Sequence, residues 1–524
     1  MTILLRALPA LLLLAGSLDA QNESASEEAL KEEAARLPVL REALRRTALI
    51  LVQNGQKWIP IGSGGVISPE GHVVTCAHVV EGGRQAFPSA EFAVVLSDGK
   101  LHEAKRLGKN SNNDIALLKI EGEKLPCFDL ADVRPAKDES ILALGYPAGN
   151  VGMSQDFRDG TLPHASVALG RVLDPNRRFV IPSEHGWKFY PDCIESDTPI
   201  FMGNSGGPLV DLQGRLVGLN AAISSAGKSY TLSAASILSA LDEMKKGRDV
   251  EGKRVEDGMK GEDYGRILGD ILGWSDPSGG EREYLRPGFA RMAEARKSGV
   301  LRITRGRDTV GHATVLDADG NLVAASAALD RKSAWAKALE AIGEQLKKDK
   351  DLWSLWEDAR KLLGLEEGVE VRLPSGKRVK AEVVRRSEKL GVVHLKIDPS
   401  GEKLVPIPEA EAVGMEPGRW VAVLGGGALP IAVGLLSAPK HTIASGMRIP
   451  MSFQDYIDAW ANDEVKPREF VDIILFDARL APRELGAPLC DGRGRMIGVA
   501  IFHPSRGTTY AVPIGDLRKE FGVK

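Results

Sequence analysis

The spacing of hydrophobic residues changes along the chain, and each change predicts a different kind of segment. The first 20 residues hold a short apolar run behind Arg6, followed by small residues, which is typical of a cleavable export signal. Between residues 21 and 47, leucines recur at nearly helical spacing, so this segment is predicted to be an amphipathic helix. From Ala48, short β-rich runs alternate with turn residues, which predicts a barrel or sandwich that ends in a helix near residues 237–244.

A second β-rich region follows a linker. The linker is charged and rich in glycine, and short helices are predicted in it around residues 264–274 and 289–296. From residue 299 the β pattern resumes, and one helical stretch at about 332–363 interrupts it. The predicted organisation is an export signal, a helical lead-in, a first β domain, the linker and a second β domain, at residues 1–20, 21–47, 48–242, 243–298 and 299–524.

Composition and charge narrow the class of protein. Hydrophobic residues make up 43% of the chain and charged residues 27%, which suits a soluble globular protein. The net charge of -3 gives no electrostatic reason to expect a nucleic-acid partner. The N-terminal apolar run has about half of the roughly 20 residues that a spanning helix needs, so no stable membrane anchor is expected. The four cysteines show no metal-ligand spacing, and we expect no disulfide among them.

Three segments of the first β region carry residues that could act together in catalysis. His78 ends the second strand of a predicted hairpin, Asp114 immediately precedes an apolar strand, and Ser205 lies in the sequence GNSGGP. Taken singly, a histidine at a strand end or an aspartate before a strand is more often structural. All three in the order His, Asp, Ser, on a β-rich background, indicate a catalytic triad.

The chemistry explains each residue type in this constellation. A serine hydroxyl becomes nucleophilic when an imidazole accepts its proton, and the imidazole needs a carboxylate that fixes its tautomer. Glycines around the serine permit unusual backbone angles and close approach of a substrate. The amides of Gly203 and Ser205, with Asn204 between them, are therefore expected to form the oxyanion hole.

These motifs resemble the trypsin-like serine proteases, and most of all the bacterial DegP/HtrA branch. The similarity extends over about residues 48–242. The resemblance implies a double β-barrel with the triad in the cleft between barrels, protein or peptide substrates, and no metal or organic cofactor. It also implies a specificity pocket walled by the strand Ala221, Ala222 and Ile223, with Pro199 near its floor.

The chain departs from that branch in several places, two of which concern its architecture. A polar excursion at residues 175–191 is longer than a compact member needs, and no peptide-binding PDZ domain is evident after the protease region. The regulation and assembly typical of the branch are therefore not carried over, and the oligomeric state stays open.

The second β region aligns with the first. Glycines and apolar residues match at constant offsets of 249, 277 and 280 positions in successive blocks, which favours an internal duplication. The predicted fold is all-β, with two tandem chymotrypsin-like double β-barrels, a helical N-terminal segment and a helical insertion in the second domain. The offsets align the three triad positions with residues that lack catalytic groups: His78 with Ala327, Asp114 with Gly391 and Ser205 with Leu485.

The sequence therefore predicts a periplasmic or secreted serine endopeptidase that works through an acyl-enzyme. Its second, protease-like domain is expected to be chemically inert and to serve binding or support. The alternative is a binding or scaffold protein whose peptidase activity is latent or secondary, because the second copy indicates that this lineage tolerates the loss of its chemistry.

Overall fold

The structure is a computed structural model that describes most of the chain. The described residues are 24–55, 57–86, 91–130, 134–147, 165–183, 186–200, 203–223, 228–252, 283–305, 308–329, 369–412, 414–444, 470–505 and 508–523. The predicted export signal, the predicted helix at 264–274 and the predicted helical insertion at 332–363 lie outside them. No helix in these ranges is long and apolar enough to cross a membrane.

The first β region forms two closed six-stranded barrels. Their antiparallel strand orders are β1-β2-β3-β6-β5-β4 and β10-β11-β12-β9-β8-β7. The strands are β1 (Thr47–Asn54), β2 (Lys57–Val66), β3 (His72–Thr75), β4 (Phe92–Val95), β5 (Leu101–Asn110), β6 (Ile115–Ile120), β7 (Ser140–Gly145), β8 (Ser166–Ser183), β9 (Gly186–Ser196), β10 (Pro208–Asp211), β11 (Leu216–Ile223) and β12 (Ser229–Ser233).

The second β region repeats this arrangement. Its barrels have the orders β13-β14-β15-β18-β17-β16 and β19-β20-β21-β24-β23-β22, which are the first two orders shifted by twelve strands. The strands are β13 (Val300–Arg305), β14 (Asp308–Val315), β15 (Asn321–Ala325), β16 (Val369–Arg372), β17 (Arg378–Ser387), β18 (Val392–Ile397), β19 (Trp420–Val423), β20 (Ala432–Ala444), β21 (Phe470–Phe476), β22 (Pro488–Asp491), β23 (Met496–Ser505) and β24 (Thr508–Pro513). The predicted pair of double β-barrels is confirmed.

Helices occupy the ends and the connections of the barrels. The α-helices are α1 (Glu27–Arg45), α2 (Ala77–Ala86), α3 (Ala234–Lys245), α4 (Ala290–Arg296), α5 (Ser326–Leu329) and α6 (Ile514–Phe521). Helix α1 begins where the hydroxyl of Ser26 accepts a hydrogen bond from the amide of Ala29 at 3.2 Å, a normal N-cap. Helices α1, α3 and α4 confirm the helical segments predicted near residues 21–47, 237–244 and 289–296.

Backbone hydrogen bonds support the predicted duplication. The Ser63 amide donates to the Ser205 carbonyl at 2.9 Å, and in the second copy the His312 amide donates to the Leu485 carbonyl at 2.9 Å. Each second-copy residue follows its counterpart at the offset found in the sequence, 249 positions for the donor and 280 for the acceptor. The two copies therefore share their inter-barrel contacts as well as their strand order.

Helix α1 joins the first barrel to the last one. It leads directly into β1, yet its side chains pack on β19 of the second copy. Trp420 donates its indole N–H to the carbonyl of Ala29 at 3.0 Å and its backbone N–H to the carboxylate of Glu33 at 2.5 Å. The guanidinium of Arg36 lies 4.5 Å from the centre of the Trp420 ring and donates to the Gly418 carbonyl at 3.0 Å.

One local expectation needs correction. Strand β3 ends at Thr75, so His78 lies in the first turn of α2 and not at the end of the strand. The excursion at 175–191, although polar, continues β8 and β9 as one long hairpin. Its register shifts three times, which suits a strongly bent ribbon.

Candidate active site

His78 and Asp114 form a hydrogen-bonded pair on the first barrel. The Nδ1 atom of His78 lies 2.7 Å from Oδ2 of Asp114, and the backbone N–H of His78 donates to Oδ1 of the same carboxylate at 2.8 Å. The Asp114 side chain is fully buried, whereas the His78 side chain is 35% exposed. The carboxylate therefore fixes the Nδ1 edge of the imidazole, and the other ring nitrogen, Nε2, can act toward solvent or substrate.

The backbone at Asp114 is strained in a way that serves this contact. Its φ of 61° lies in the left-handed region, which aspartate tolerates better than most residues. Asp114 ends the turn that precedes β6, and its carbonyl accepts the Ala77 amide at 3.1 Å. This bond ties the aspartate turn to the start of α2, so both members of the pair keep their relative position.

A third donor reaches the carboxylate from the second barrel. The hydroxyl of Tyr190, on β9, donates to Oδ2 of Asp114 at 2.9 Å. Burial raises the pKa of Tyr190 well above its ordinary value, and the nearby Asp114 carboxylate raises it further. The phenol therefore stays neutral and remains a donor.

Ser205 lies in a loop whose backbone is shaped by glycine. Gly203 has a φ of 94° and Gly206 a φ of 80°. A Cβ on Gly206 would lie 2.4 Å from the Ser63 carbonyl oxygen, so a side chain there would collide with β2. The Gly203 carbonyl accepts the Ser63 hydroxyl at 2.6 Å, which turns the Gly203 peptide toward the first barrel.

The hydrogen bonds of this loop distinguish Asn204 from its two neighbours. Within the described ranges, the amides of Gly203 and Ser205 donate to no protein acceptor, and Ser205 Oγ makes no hydrogen bond of 3.5 Å or less with His78. Catalytic contacts of this kind commonly tighten when substrate binds. Asn204 differs, since its buried side chain accepts the Ser166 hydroxyl at 3.4 Å and supports the loop from behind.

The predicted pocket residues lie together on the second barrel. Ala221, Ala222 and Ile223 end β11, and Pro199 follows β9; strand β12 pairs with both β9 and β11. Ala221 is buried, whereas Ile223 is 45% exposed. The end of β11 therefore offers an apolar edge near Ser205.

Three atoms of types that bind metals cluster at the pair. A ligand atom of Cys76, one of His78 and one of Asp114 all lie within 4.8 Å of one another. Both carboxylate oxygens already accept hydrogen bonds, and the Cys76 thiol lies 3.4 Å from the Asn220 carbonyl oxygen. We assign the cluster to the site described above.

The second copy keeps the framework at the corresponding positions but not the chemical groups. The Ser326 amide donates to the Gly391 carbonyl at 2.9 Å, which mirrors the bond from Ala77 to Asp114. Leu485 is buried and follows the 3₁₀ turn Pro482–Glu484, which occupies the position of the oxyanion loop. Arg483 aligns with Gly203.

Two residues near these sites were not predicted from the sequence. Tyr190 lies 76 positions from Asp114 and belongs to no motif. His312 aligns with Ser63 and is buried, and desolvation lowers its pKa to about 4, so it is neutral at neutral pH. The only signal for either was an aromatic side chain that carries a polar atom, which is too common to identify a contact.

Known proteins match both copies of the domain. The family model for a trypsin-like peptidase domain matches residues 62–219 and 346–499, more than half of the chain. A probable periplasmic serine endoprotease of the DegP-like kind from Halomonas elongata is 30% identical over 277 residues, which cover 52% of this chain and 50% of that protein. A probable DegP-like endoprotease from Pseudomonas putida is 37% identical over 164 residues, 31% of this chain and 29% of that protein. A crystal structure of a serine endoprotease from Yersinia pestis aligns with 40% of this chain and 65% of its own, at 22% identity and a TM-score of 0.31.

The family model defines the class. The chain belongs to the trypsin-like peptidase family. It spans about half the length of the curated relative from Halomonas elongata.

Proposed function

We propose that this protein is an exported serine endopeptidase that hydrolyses peptide bonds in protein or peptide substrates. The observation that carries the proposal is the 2.7 Å contact between His78 and Asp114, beside a glycine loop that holds Ser205. The DegP-like relatives are named as periplasmic endoproteases, which supports both the activity and the export. The region at residues 48–242 carries the reaction, and residues 1–20 direct export.

The mechanism follows from the geometry. His78 accepts the proton of Ser205 Oγ while this oxygen attacks the scissile carbonyl carbon, and the amides of Gly203 and Ser205 stabilise the oxyanion that forms. His78 then gives its proton to the leaving amine, and the acyl-enzyme remains. A water molecule, deprotonated by His78, attacks the ester and releases the second product, and the proton returns to Ser205.

The second copy, within residues 299–524, is inert in this proposal and supports the first. Leu485 and Ala327 offer neither nucleophile nor base. His312 does not restore a base, because it is buried and desolvation lowers its pKa to about 4. Ser326, which precedes Ala327, therefore has no hydrogen bond to a histidine within the part of the chain that the structure describes.

Covalent labelling of the full chain tests the nucleophile and the inert copy together. A fluorophosphonate should label the wild-type protein, and Ser205→Ala should remove the label and peptide hydrolysis while the fold persists, since one hydroxyl is lost. Ser326→Ala is the matched control and should label normally. Residual labelling of Ser205→Ala would contradict the inertness of the second copy.

The same labelling separates the proposal from its alternative. A binding or scaffold protein would not react, and the observation that favours this alternative is that Ser205 and His78 form no hydrogen bond with each other in the described residues. A wild-type protein that stays unlabelled in the presence of an unfolded protein substrate would support a scaffold role and contradict the endopeptidase.

A further inference from the structure

The dyad of His78 and Asp114 receives a contact from the opposite barrel. The Tyr190 hydroxyl donates at 2.9 Å to Oδ2 of Asp114, the same oxygen that faces Nδ1 of His78. The Tyr190 ring is fully buried and lies parallel to Phe179, with ring centres 6.2 Å apart and an interplanar angle of 13°. The phenol is therefore held in place by packing and is not free to turn away.

The neighbours of Tyr190 also bind the aspartate turn. The Phe189 amide donates to the Asn112 carbonyl at 3.1 Å, and the Asn113 side chain donates to the Phe189 carbonyl at 2.9 Å. Two consecutive residues of β9 thus bind three consecutive residues of the turn before β6. The extended part of the β8–β9 hairpin, which the sequence marked as an unexplained excursion, places this clamp.

We propose that Tyr190 is a positioning residue of the active site, and that the β8–β9 hairpin is extended in order to deliver it. The inference rests on the proposed endopeptidase function. By donating to Oδ2, the phenol fixes the carboxylate plane against the His78 ring and takes up part of its negative charge. It also joins the barrel that carries Ser205 to the barrel that carries His78 and Asp114, so the two halves of the site keep their relative position.

The charge effect has a defined sign. The dyad with neutral His78 carries one net negative charge, and the dyad with protonated His78 carries none. The hydroxyl stabilises the first form more, so its removal makes the dyad take up a proton at higher pH. Among the described residues, the other ionisable groups that act on Tyr190 are the buried thiols of Cys76 and Cys193.

The test is the pH profile of Tyr190→Phe, which retains the ring and removes the hydroxyl. Hydrolysis of an apolar peptide and inactivation by a fluorophosphonate are measured per titrated active site, so that misfolded molecules do not contribute. We expect kcat to fall roughly tenfold, about 1.4 kcal/mol, with little change in KM, because the carboxylate loses its orientation. The acid limb of kcat/KM and of the inactivation rate should move to higher pH.

Two further variants make the result decisive. Tyr510→Phe removes a buried tyrosine hydroxyl from β24 of the second copy and should leave both the rate and the limb unchanged. Asn113→Ala loosens the clamp without touching the ring, and its limb should move in the same direction even if Tyr190→Phe fails to fold. An unmoved limb in the folded variants would overturn the positioning role, whereas an unreactive wild-type protein would overturn the proposed function instead.

Discussion

Asp114 and Gly391 occupy aligned positions and have almost the same φ angle, but Asp114 carries a carboxylate and Gly391 has no side chain. Their φ angles are 61° and 66°. Asp114 precedes β6 and Gly391 precedes β18, each the last strand in sequence of the first barrel of its copy. A left-handed conformation costs a non-glycine residue about 1 kcal/mol, and glycine adopts it freely. The first copy thus retains backbone strain where a carboxylate is needed, and the second copy lost the strain together with the carboxylate.

Single residues differ in how far the sequence predicts them. The positions of Asp114 and Ser205 follow from local motifs, because each motif places its side chain on a turn or loop. The motif of His78 identifies the residue but not its place in the first turn of α2. Tyr190 and His312 do not follow from local motifs, since their roles depend on contacts between distant strands of a closed barrel. Local patterns carry no information about which strand faces which turn across two barrels.

Specificity is a prediction about the residues that wall the pocket. Pro199, Ala221, Ala222 and Ile223 carry no charge, so an arginine side chain bound among them would lack an ionic partner. We expect cleavage after small or medium apolar residues, with an apolar peptide preferred at least about a hundredfold, roughly 3 kcal/mol, over the same peptide with arginine. Competition between two peptides that differ at this one position measures the ratio, and a preference for arginine or lysine would refute the assignment of the pocket.

Strands and helices show where periodicity is a sufficient guide. The short β runs were predictable because alternating and fully apolar segments were bounded by turn residues. The end of β3 and the length of the β8–β9 hairpin were not predictable from periodicity. In the hairpin, polar residues on a bent, partly exposed ribbon resemble a loop. Helix α1 was predicted from its leucines, but an apolar stripe identifies a face and not the surface that it meets.

The contact of α1 with β19 makes a stability prediction. Glu33 accepts the backbone N–H of Trp420, a residue only 1% exposed, so Glu33→Ala leaves a buried donor without an acceptor. We expect a loss of roughly 1–3 kcal/mol in the free energy of unfolding and a lower urea midpoint by circular dichroism. Glu28→Ala, on the exposed side of the same helix, is the matched control and should unfold like the wild type. Equal midpoints for the two variants would show that the helix does not hold the second copy.

Contacts other than those of helix α1 also join the two copies. Its largest hydrophobic cluster is continuous across them and includes Leu40 from α1, Phe289 from the linker and Trp420 from the second copy. Strand β8 also meets β20, where the Ser437 hydroxyl donates to the Val167 carbonyl at 2.8 Å. The duplication was predictable from constant offsets in the sequence, but the docking of the copies was not, because no repeat pattern records which surfaces meet.

Asp477 lies at the interface between the two copies. Asp477 aligns with Asp197, which accepts the Arg171 amide inside its own copy. Asp477 accepts the Leu435 amide of its own copy at 2.5 Å and the Leu169 amide of the first copy at 2.8 Å. The second copy has therefore kept the intradomain bond and added a bond to the active domain.

Asp477→Ala tests whether the inert copy supports catalysis. The Leu169 amide, in a residue 2% exposed, would lose its acceptor, and β8 would lose a contact three residues from Ser166, which touches Asn204 in the nucleophile loop. We expect a loss of roughly 1–3 kcal/mol in unfolding free energy and a severalfold lower kcat/KM per titrated active site, since the loop is less well supported. Asp491→Ala is the control, because that carboxylate bonds only within its own turn, to Arg493 and Arg495, among the described residues. It should destabilise the second copy without changing kcat/KM. If the two variants have the same kcat/KM as the wild type, the second copy does not act on the active site through this contact.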